Sequence, residues 1–344
     1  MAAKRYDIAV VGSGAAGSMG SLRSVLNNLN AVCFMGNPKT ARKARATWVG
    51  KVENMPVLFD RPKAVFGSSR DVFKWIRSND LWKQNLTEVH DAVADAKGEK
   101  GNFTLQTTKG ATYHSKYILL CTGIMDIQPD IGGSIEPIMP FANEGHIQYC
   151  IRCDGHKSKG KRTAVIGHSA AAGWVASLLL ERYDQPSMTV LTNGKPWLCD
   201  PALKDRLNGY GIAVIEEPIA ALHGNPKECG LTHFEFKSGR RLDCEIAYVS
   251  LGTIVYNELA KSLGCRIDER GYVLTDDDGQ TDVPGVFIGG DLRAGKKKQI
   301  YTAWDITVDA VDKIDAYIRA EKRAKRVKNC RCSDYDDNPG FLMG

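Results

Sequence analysis

The chain has 344 residues, 43% of them hydrophobic, so it can bury two ordinary cores and we expect two domains. Its net charge of +6 is modest and favours no nucleic-acid partner. No stretch reaches the roughly 18 to 20 apolar residues of a membrane span, and no signal-peptide core precedes the first strand pattern, which together favour a cytoplasmic protein.

The first predicted elements are a strand, a tight turn and a helix. Apolar residues 8–11 precede Gly12, Gly14 and Gly17, which have G-x-G-x-x-G spacing, and small residues then continue as a helix. The first glycine permits the turn, the second lets the backbone approach a pyrophosphate, and the third lets the helix pack on the sheet. This order predicts a dinucleotide site with phosphate at the helix N-terminus.

The second predicted strand is NAVCFMG, residues 30–36. It does not end in the acidic residue that binds the adenosine ribose in the simplest form of the motif. We therefore expect Gly36 and Asn37 to lie beside the adenosine.

A second copy of the same pattern lies further along the chain. After a buried strand at 116–123, a strand, a turn beginning at Gly167 and a helix are predicted within 162–183. Further strands are predicted at 187–194, 211–217 and 245–252. Two such units predict an α/β protein with two Rossmann-like, dinucleotide-binding domains.

The last predicted elements, at 283–314, are a strand, a Gly-Gly-Asp turn and a helix, which return the chain to the first domain. The second domain is therefore expected to be inserted into the first. We predict an FAD-binding domain from 1–126 plus 250–330, a nicotinamide-type nucleotide domain at 127–249 that carries the redox pair, and a tail at 331–344.

Ten cysteines are spread through the chain, and two pairs lie close together in sequence, Cys150 with Cys153 and Cys330 with Cys332. In a reducing compartment a close pair is redox-active or binds metal more often than it is structural. A zinc site built from both pairs is an alternative, but the second pair has the wrong spacing for a zinc knuckle. We expect no metal.

Together these elements resemble the low-molecular-weight thioredoxin reductase family of flavoproteins over nearly the whole chain. The most specific part is C-x-x-C-D-G at 150–155, directly before the second turn, and it is supported by 11–17, 51–56, 285–291 and 296–304. The resemblance implies a two-domain enzyme with FAD in the outer domain, a redox disulfide on the inserted domain and a homodimer.

The resemblance also implies roles for residues of the flavin site. Asn54 would lie near the isoalloxazine, Asp291 would bond the ribityl chain, and Gln299 and Ile300 would face the pyrimidine edge of the ring. The expected cofactor-binding residues are Gly12, Gly14, Ala15, Ala16, Gly36, Asn37, Asn54, Thr122, Gly123, Gly290, Asp291, Lys298, Gln299 and Ile300.

For the redox pair, the resemblance implies that Cys153 faces the flavin and that Cys150 exchanges with an external dithiol or disulfide. Asp154 stands where the family keeps its general acid. Arg152 lies between the cysteines, where its charge would lower a thiol pKa or, if solvent screens it, would have no effect.

The second nucleotide site departs from the family pattern. Ser169 replaces the second glycine of the turn, and LTNGKPW at 191–197 replaces a His-Arg-Arg group that binds the ribose 2′-phosphate, leaving only Lys195 to supply charge. A lone lysine is a poor substitute for a bidentate arginine clamp. The sequence therefore predicts that NADPH is not used directly. The residues expected at this site are Gly167, Ser169, Ala170 and Ala171.

This set of losses is similar to that of the diflavin-linked disulfide oxidoreductases of oxygenic photosynthetic bacteria. The resemblance implies two FAD per chain, the second in the place of NADPH. The alternatives are a thioredoxin reductase driven by NADPH or ferredoxin, and a non-catalytic flavin and disulfide redox sensor. The expected partner is a dithiol or disulfide protein or a small thiol, and the sequence does not name the electron donor or acceptor.

A basic run, YIRAEKRAKRVKNCR, occupies residues 317–331. Such a run is most often a solvated helix face, and its other interpretation is contact with a membrane surface or an acidic partner.

Overall fold

The computed structural model describes residues 4–37 and 43–333, with side chains described through residue 327. The helices are α1 (Ala15–Leu26), α2 (Ala64–Ser78), α3 (Met139–Asn143), α4 (Ile151–Asp154), α5 (Ala170–Tyr183), α6 (Pro201–Gly209), α7 (Glu258–Ser262) and α8 (Ile300–Ser333). The strands are β1 (Arg5–Val11), β2 (Ala31–Phe34), β3 (Leu86–Val89), β4 (Val93–Glu99), β5 (Asn102–Thr107), β6 (Thr112–Leu120), β7 (Ile124–Asp126), β8 (Ile147–Gln148), β9 (Thr163–Ile166), β10 (Met188–Leu191), β11 (Ala213–Ile215), β12 (Ile219–Asn225), β13 (Gly230–Phe236), β14 (Arg241–Asp243), β15 (Ile246–Val249), β16 (Thr253–Val255) and β17 (Val286–Ile288).

The chain divides into two compact units. The first unit is built from Met1–Thr40, Ser68–Gly123 and Tyr256–Gly344, and the second from Ala41–Gly67 and Ile124–Val255. The second unit therefore interrupts the first in sequence, and it includes residues 41–67, which the sequence analysis had grouped with the FAD-binding domain. The assignment of a nucleotide to each unit stays a prediction.

The first unit is organised around a parallel sheet in the order β3-β2-β1-β6. Strands β1 and β2 are apolar and buried, as expected for strands covered on both faces, and Ile8 and Val10 are fully buried. Strand β6 is long enough to pair twice on its other edge. Thr112–Ser115 pair with antiparallel β5, and Ile118–Leu120 pair with parallel β17.

Small residues let α1 approach this sheet closely. Gly20 is buried, and a Cβ there would lie 2.8 Å from a methyl group of Leu119 and 3.2 Å from one of Thr307 on α8. A bidentate pair then joins the two helices, since Arg23 donates to both carboxylate oxygens of Asp312 at 2.6 and 2.8 Å. Helix α1, which follows the first glycine turn, is therefore held against both the sheet and α8.

The second unit contains a parallel sheet in the order β11-β10-β9-β15-β8, an antiparallel sheet β12-β13-β14 and the two-stranded ribbon β7-β16. A buried core lies between the parallel sheet and the antiparallel strands, with Phe234 and Phe236 among its largest side chains. Helix α5 packs through Ala172, Ala176 and Leu179 in a separate cluster on the unit.

The strands and helices predicted by the sequence are confirmed, while the antiparallel strands β4, β5, β12, β13 and β14 were not predicted. None of the described helices combines the length and apolar composition of a membrane-spanning helix. Residues 319–327 of α8 are exposed, which agrees with a solvated face for that part of the basic run. The side chains of Cys330 and Cys332 and the tail 334–344 lie outside the described residues.

Candidate active site and nucleotide turns

Cys150 and Cys153 form a disulfide at the start of α4, with their Cα atoms 5.3 Å apart. Strand β8 ends at Gln148, so the chain leaves the parallel sheet directly into the pair. Six other described cysteines are free, and Cys33 and Cys121 are buried, which raises the pKa of the Cys33 thiol to about 12. The predicted pairing is therefore confirmed, and the two strand cysteines are inert.

The backbone supports charge on the first sulfur. Cys150 is the N-cap of α4, and its Sγ accepts a hydrogen bond from the Cys153 N–H at 3.1 Å. After reduction, the same N–H would stabilise a thiolate on Cys150. Arg152 is exposed, so solvent screens its charge.

Asp154 is the buried acid of the site, with only 4% of its side chain exposed. Lys157 Nζ lies 2.9 Å from Asp154 Oδ1 in an ion pair. Burial raises the pKa of the Asp154 carboxyl, and Lys157 partly opposes that rise. The carboxyl therefore keeps its proton to a higher pH than a free aspartate, as a general acid requires.

Lys157 also binds a second carboxylate. Its Nζ lies 3.1 Å from Glu53 Oε1, and Glu53 Oε2 lies 2.7 Å from His156 Nε2. Burial opposes the charge of Lys157, yet its two carboxylate partners outweigh burial and raise its pKa. We name Asp154, Lys157, Glu53 and His156 the Asp154 cluster. The sequence analysis missed its last three members, although the i,i+3 spacing of Asp154 and Lys157 could have suggested their ion pair.

The first glycine turn has the geometry expected of a pyrophosphate site. Gly12 has φ +111°, which favours glycine, and a Cβ on Gly17 would lie 1.8 Å from Gly12 O. A Cβ on Gly14 would meet no described atom within 4 Å, so the turn leaves open space at the start of α1. The first helical turn, which includes Ala15 and Ala16, contains no acidic residue. These features fit the pyrophosphate of FAD.

The end of β2 is held by a residue that the sequence analysis missed. Gly36, with φ +84°, donates its N–H to the backbone oxygen of Asp91 at 3.2 Å, next to Asn37. The Asp91 carboxylate accepts from Thr108 and from the Lys109 and Ala92 N–H groups. These bonds lower its pKa to about 2, so this acid is engaged in supporting the loop.

The remaining residues predicted for the flavin site in the first unit lie at the ends of β6 and β17 and the start of α8. Thr122 Oγ1 donates to Tyr256 O at 2.6 Å, and a Cβ on Gly290 would lie 2.7 Å from Ala16 Cβ. Lys298 Nζ donates to Asp291 O at 3.0 Å and lies 3.9 Å from the Tyr272 ring centre. The other predicted members are Gly123, at the end of β6, and Gln299 and Ile300, at the start of α8. Asn54 belongs to the second unit.

The second turn has the same order of strand, turn and helix as the first turn, but its residues make different contacts. Gly167 does not have a positive φ, and it is required instead because a Cβ there would lie 2.5 Å from Ser250 O. Ser169 is the N-cap of α5, whose first turn contains Ala170 and Ala171, and the described structure shows no capping bond from its side chain. Ser169 forms a parallel bridge with Leu198.

The loop that replaces the His-Arg-Arg group is closed by its own hydrogen bonds. Asn193 donates to Asp130 O at 2.7 Å and accepts from Ile219 N at 2.8 Å, so its amide is occupied. Glu216 accepts from Trp197 N at 3.1 Å, which places a carboxylate in the loop.

The comparisons with known proteins agree with this geometry. The family model described as pyridine nucleotide-disulphide oxidoreductase matches residues 6–307. The chain belongs to this family. Membership makes it an enzyme of the flavin disulfide oxidoreductase type and implies FAD binding.

The sequence identity between the chain and individual relatives is low. The chain is 26% identical to thioredoxin reductase of Treponema pallidum over 305 residues, covering 87% of this chain and 92% of the relative. It is also 26% identical to an alkyl hydroperoxide reductase protein from Xanthomonas campestris, covering 88% of this chain but only 55% of that protein. The crystal structure of thioredoxin reductase from Streptococcus pyogenes has a TM-score of 0.78 at 21% identity, covering 92% and 99% of the two chains. This likeness confirms the fold with two Rossmann-like domains.

Proposed function

We propose that the protein is an FAD-dependent oxidoreductase that exchanges electrons between the flavin and the Cys150–Cys153 pair. The observation that carries this proposal is the disulfide at the start of α4, followed directly by the buried carboxyl of Asp154. FAD, when bound, supplies the two-electron acceptor or donor. Gly12, Gly14 and the start of α1 hold its pyrophosphate, together with the other flavin-site residues named above.

The two cysteines have different roles in this proposal. Cys150 exchanges with an external dithiol or disulfide, and the N–H bond to its Sγ supports that role because it stabilises the attacking or leaving thiolate. Cys153 is the sulfur that communicates with the flavin. Asp154 gives a proton to the departing thiolate and takes one from the arriving thiol.

The roles are tested by single serine substitutions. Cys153→Ser should keep bound FAD but disconnect the flavin from dithiols, whereas Cys150→Ser should keep the sulfur–flavin interaction and lose exchange with external thiols. Flavin absorbance spectra and thiol-exchange rates measure the two properties. Identical behaviour of the two variants would contradict the assignment.

We further propose that the second turn does not bind NADPH and that it binds a second FAD. The occupied Asn193 amide and the Glu216 carboxylate support the first statement. Two buried nitrogen atoms near the turn, His168 Nδ1 and Trp197 Nε1, lack a hydrogen-bond partner among the described residues, which supports a bound group there. Leu198, 63% exposed, offers an apolar surface next to Ser169.

The decisive experiment has two parts. The first measures the flavin-to-protein ratio of the purified protein, and the second follows flavin reduction after the protein is mixed rapidly with NADPH. The proposal expects about two flavins per chain and slow or undetectable flavin reduction, because two lost charge-assisted contacts weaken binding by about a hundredfold. One flavin per chain with rapid reduction would refute both statements. One flavin per chain without reduction would support the statement that the second turn does not bind NADPH and would refute the second FAD.

The second candidate function is a thioredoxin reductase driven by NADPH or by ferredoxin. The relative from Treponema pallidum, which matches over 92% of its own length, carries that name and favours this candidate. Rapid flavin reduction by NADPH, followed by reduction of thioredoxin, would establish it.

The assembly and the location of the protein are also part of the proposal. We propose a homodimer in the cytoplasm, with a dithiol or disulfide protein or a small thiol as its partner. The exposed basic residues of α8 allow weak contact with an anionic membrane surface. Sedimentation at micromolar concentration and flotation with anionic vesicles measure these two properties.

A further inference from the structure

The Asp154 cluster contains more ionisable side chains than are needed to hold the Asp154 carboxyl in position. Its four side chains form a series of ion pairs, from Asp154 to Lys157 at 2.9 Å and from Lys157 to Glu53 at 3.1 Å, that ends in a hydrogen bond between Glu53 and His156 at 2.7 Å. The exposed fraction of the side chain rises along the same series, from 4% at Asp154 to 20%, 34% and 50% at His156. The series therefore leads from a buried carboxyl to solvent.

We propose that Lys157, Glu53 and His156 form a relay that exchanges the proton of Asp154 with solvent. The proposal rests on the proposed function, in which Asp154 is the general acid of thiol–disulfide exchange. All four residues belong to the second unit, so the relay is complete within it.

The chemistry of the cysteine pair creates the need for such a path. When an external dithiol reduces the Cys150–Cys153 disulfide, the protein S–S bond breaks, the partner S–S bond forms, and two electrons and two protons pass to the cysteines. When the pair is oxidised again, two S–H bonds break and two electrons pass to FAD. At least one of the two protons must then reach solvent, and the buried acid cannot release it directly.

Each link of the relay can accept one proton and donate another. As Asp154 yields its proton to Lys157, Lys157 passes one to Glu53 and Glu53 passes one to His156. The exposed imidazole of His156 then releases a proton to water. The reverse sequence restores the proton of Asp154.

The ionisable groups that other helices and strands place near Asp154 do not supply a competing path for its proton. Tyr248 on β15 directs its hydroxyl to the backbone oxygens of Asp154 and Gly155, at 2.9 and 3.3 Å, so its proton is engaged there. Burial raises the pKa of the Tyr248 phenol, and Tyr183 on α5 is the phenol beside it. Lys157, Glu53 and His156 are the ionisable side chains that shift the pKa of the Asp154 carboxyl, and Asp154 in turn helps to raise the pKa of the Tyr248 phenol.

The test uses the full-length protein with its flavin and five substitutions: Asp154→Asn, Lys157→Met, Lys157→Arg, His156→Gln and the control His223→Gln. The control removes a His–Glu pair of the same 2.7 Å length, between His223 and Glu235 in the same unit, that is not joined to Asp154. Rapid-quench alkylation counts the free thiols of the Cys150–Cys153 pair after mixing with dithiothreitol, at several pH values and in weak buffer.

The relay predicts that His156→Gln slows the exchange about tenfold and that added imidazole restores most of the rate, because imidazole then carries the proton. Lys157→Met should slow it roughly ten- to a hundredfold and flatten its pH profile, and Lys157→Arg should be slow as well, because a guanidinium keeps the charge but does not give up a proton. His223→Gln should remain within about twofold of the wild type.

The remaining outcomes separate the two proposals. If Asp154→Asn is slow while His156→Gln and Lys157→Met match the wild type, the relay is wrong and the role of Asp154 stands. If His156→Gln is slow but imidazole does not restore it, the cluster is structural and the relay is again wrong. If Asp154→Asn itself exchanges at the wild-type rate, the acid role in the proposed function fails, and the relay fails with it.

Discussion

The two glycine turns of this protein have the same order of strand, turn and helix but require glycine for different reasons. In the first turn Gly12 needs a positive φ, and Gly14 leaves open space for a ligand. In the second turn Gly167 is required by the close approach of Ser250 O, and Ser169 occupies the helix start beside Leu198. The comparison shows that a shared glycine pattern preserves packing even where the surface offered to a ligand has changed.

The largest expected effect comes from Gly17→Ala in the first turn. Its new Cβ would lie 1.8 Å from a backbone oxygen that cannot move without opening the turn. We expect a loss of about 3 kcal/mol or more of unfolding free energy in the first unit, and loss of bound flavin. Flavin absorbance and thermal unfolding measure both.

Gly14→Ala is the matched control for this substitution. Its Cβ would meet no described atom within 4 Å, so stability should change little, while the methyl group takes up space offered to the pyrophosphate. Full flavin content and unchanged stability in Gly17→Ala would contradict the close approach of Gly12 O to this position in the first turn.

Gly167→Ala tests the second turn in the same way. A Cβ there would lie 2.5 Å from Ser250 O and 2.8 Å from Ala172 Cβ, which we expect to destabilise the second unit by about 1 to 3 kcal/mol. If this turn holds a second FAD, the flavin-to-protein ratio should fall from about two toward one. An unchanged ratio of two, with the destabilisation present, would place the second flavin elsewhere.

Glu216→Gln is expected to have a smaller effect on the second turn. The glutamine oxygen can still accept from Trp197 N, but the carboxylate charge is gone, so NADPH binding should strengthen by less than about 1 kcal/mol, or up to about fivefold. Glu217→Gln is the control, because Glu217 binds Ser238 and Arg240 instead. Titration with NADPH measures the affinity, and a stronger effect of the control would contradict the placement of the repulsion.

The smallest expected effect is a pH dependence at the loop that follows β2 in the first unit. The bonds to Asp91 lower its pKa from 3.8 to about 2, so the carboxylate stabilises the folded state above pH 4 and loses that contribution as the pH falls toward 2. Asp91→Asn should reduce the acid dependence of the urea midpoint in this window. In the second unit, the neutral amide of Asn193 holds the equivalent loop, so Asn193→Ala should lower stability equally at all pH values.

Sequence patterns with short-range causes were predictable. The parallel strands follow from continuous apolar runs, and the disulfide was predicted from two cysteines three positions apart beside a flavin-domain pattern. The antiparallel strands were missed because β4 and β12 alternate weakly and contain polar and charged residues. The double pairing of β6 depends on partners far apart in sequence, which no local pattern reveals.

In the candidate site, too, features that are local in sequence were predictable, and contacts between distant residues were not. Cys150, Cys153 and Asp154 were predictable because they are adjacent in sequence and have a distinctive order. Glu53 joins His156 across 103 positions, and Asp91 supports Gly36 through a backbone bond, so neither role could be inferred from composition or spacing. The loss of NADPH features was visible as missing residues, but the engagement of Asn193 with Ile219 required the structure.

The pairing of β6 with β17 has a consequence for synthesis. The second half of β6 remains an open edge until residues beyond 285 leave the ribosome, whereas the second unit has all of its strands once Val255 has emerged. We therefore expect the inserted unit to reach its native state first, while the first unit exposes an apolar edge that chaperones can bind. Arrested chains ending after residue 255 should resist protease within 124–255 and remain sensitive within 112–120.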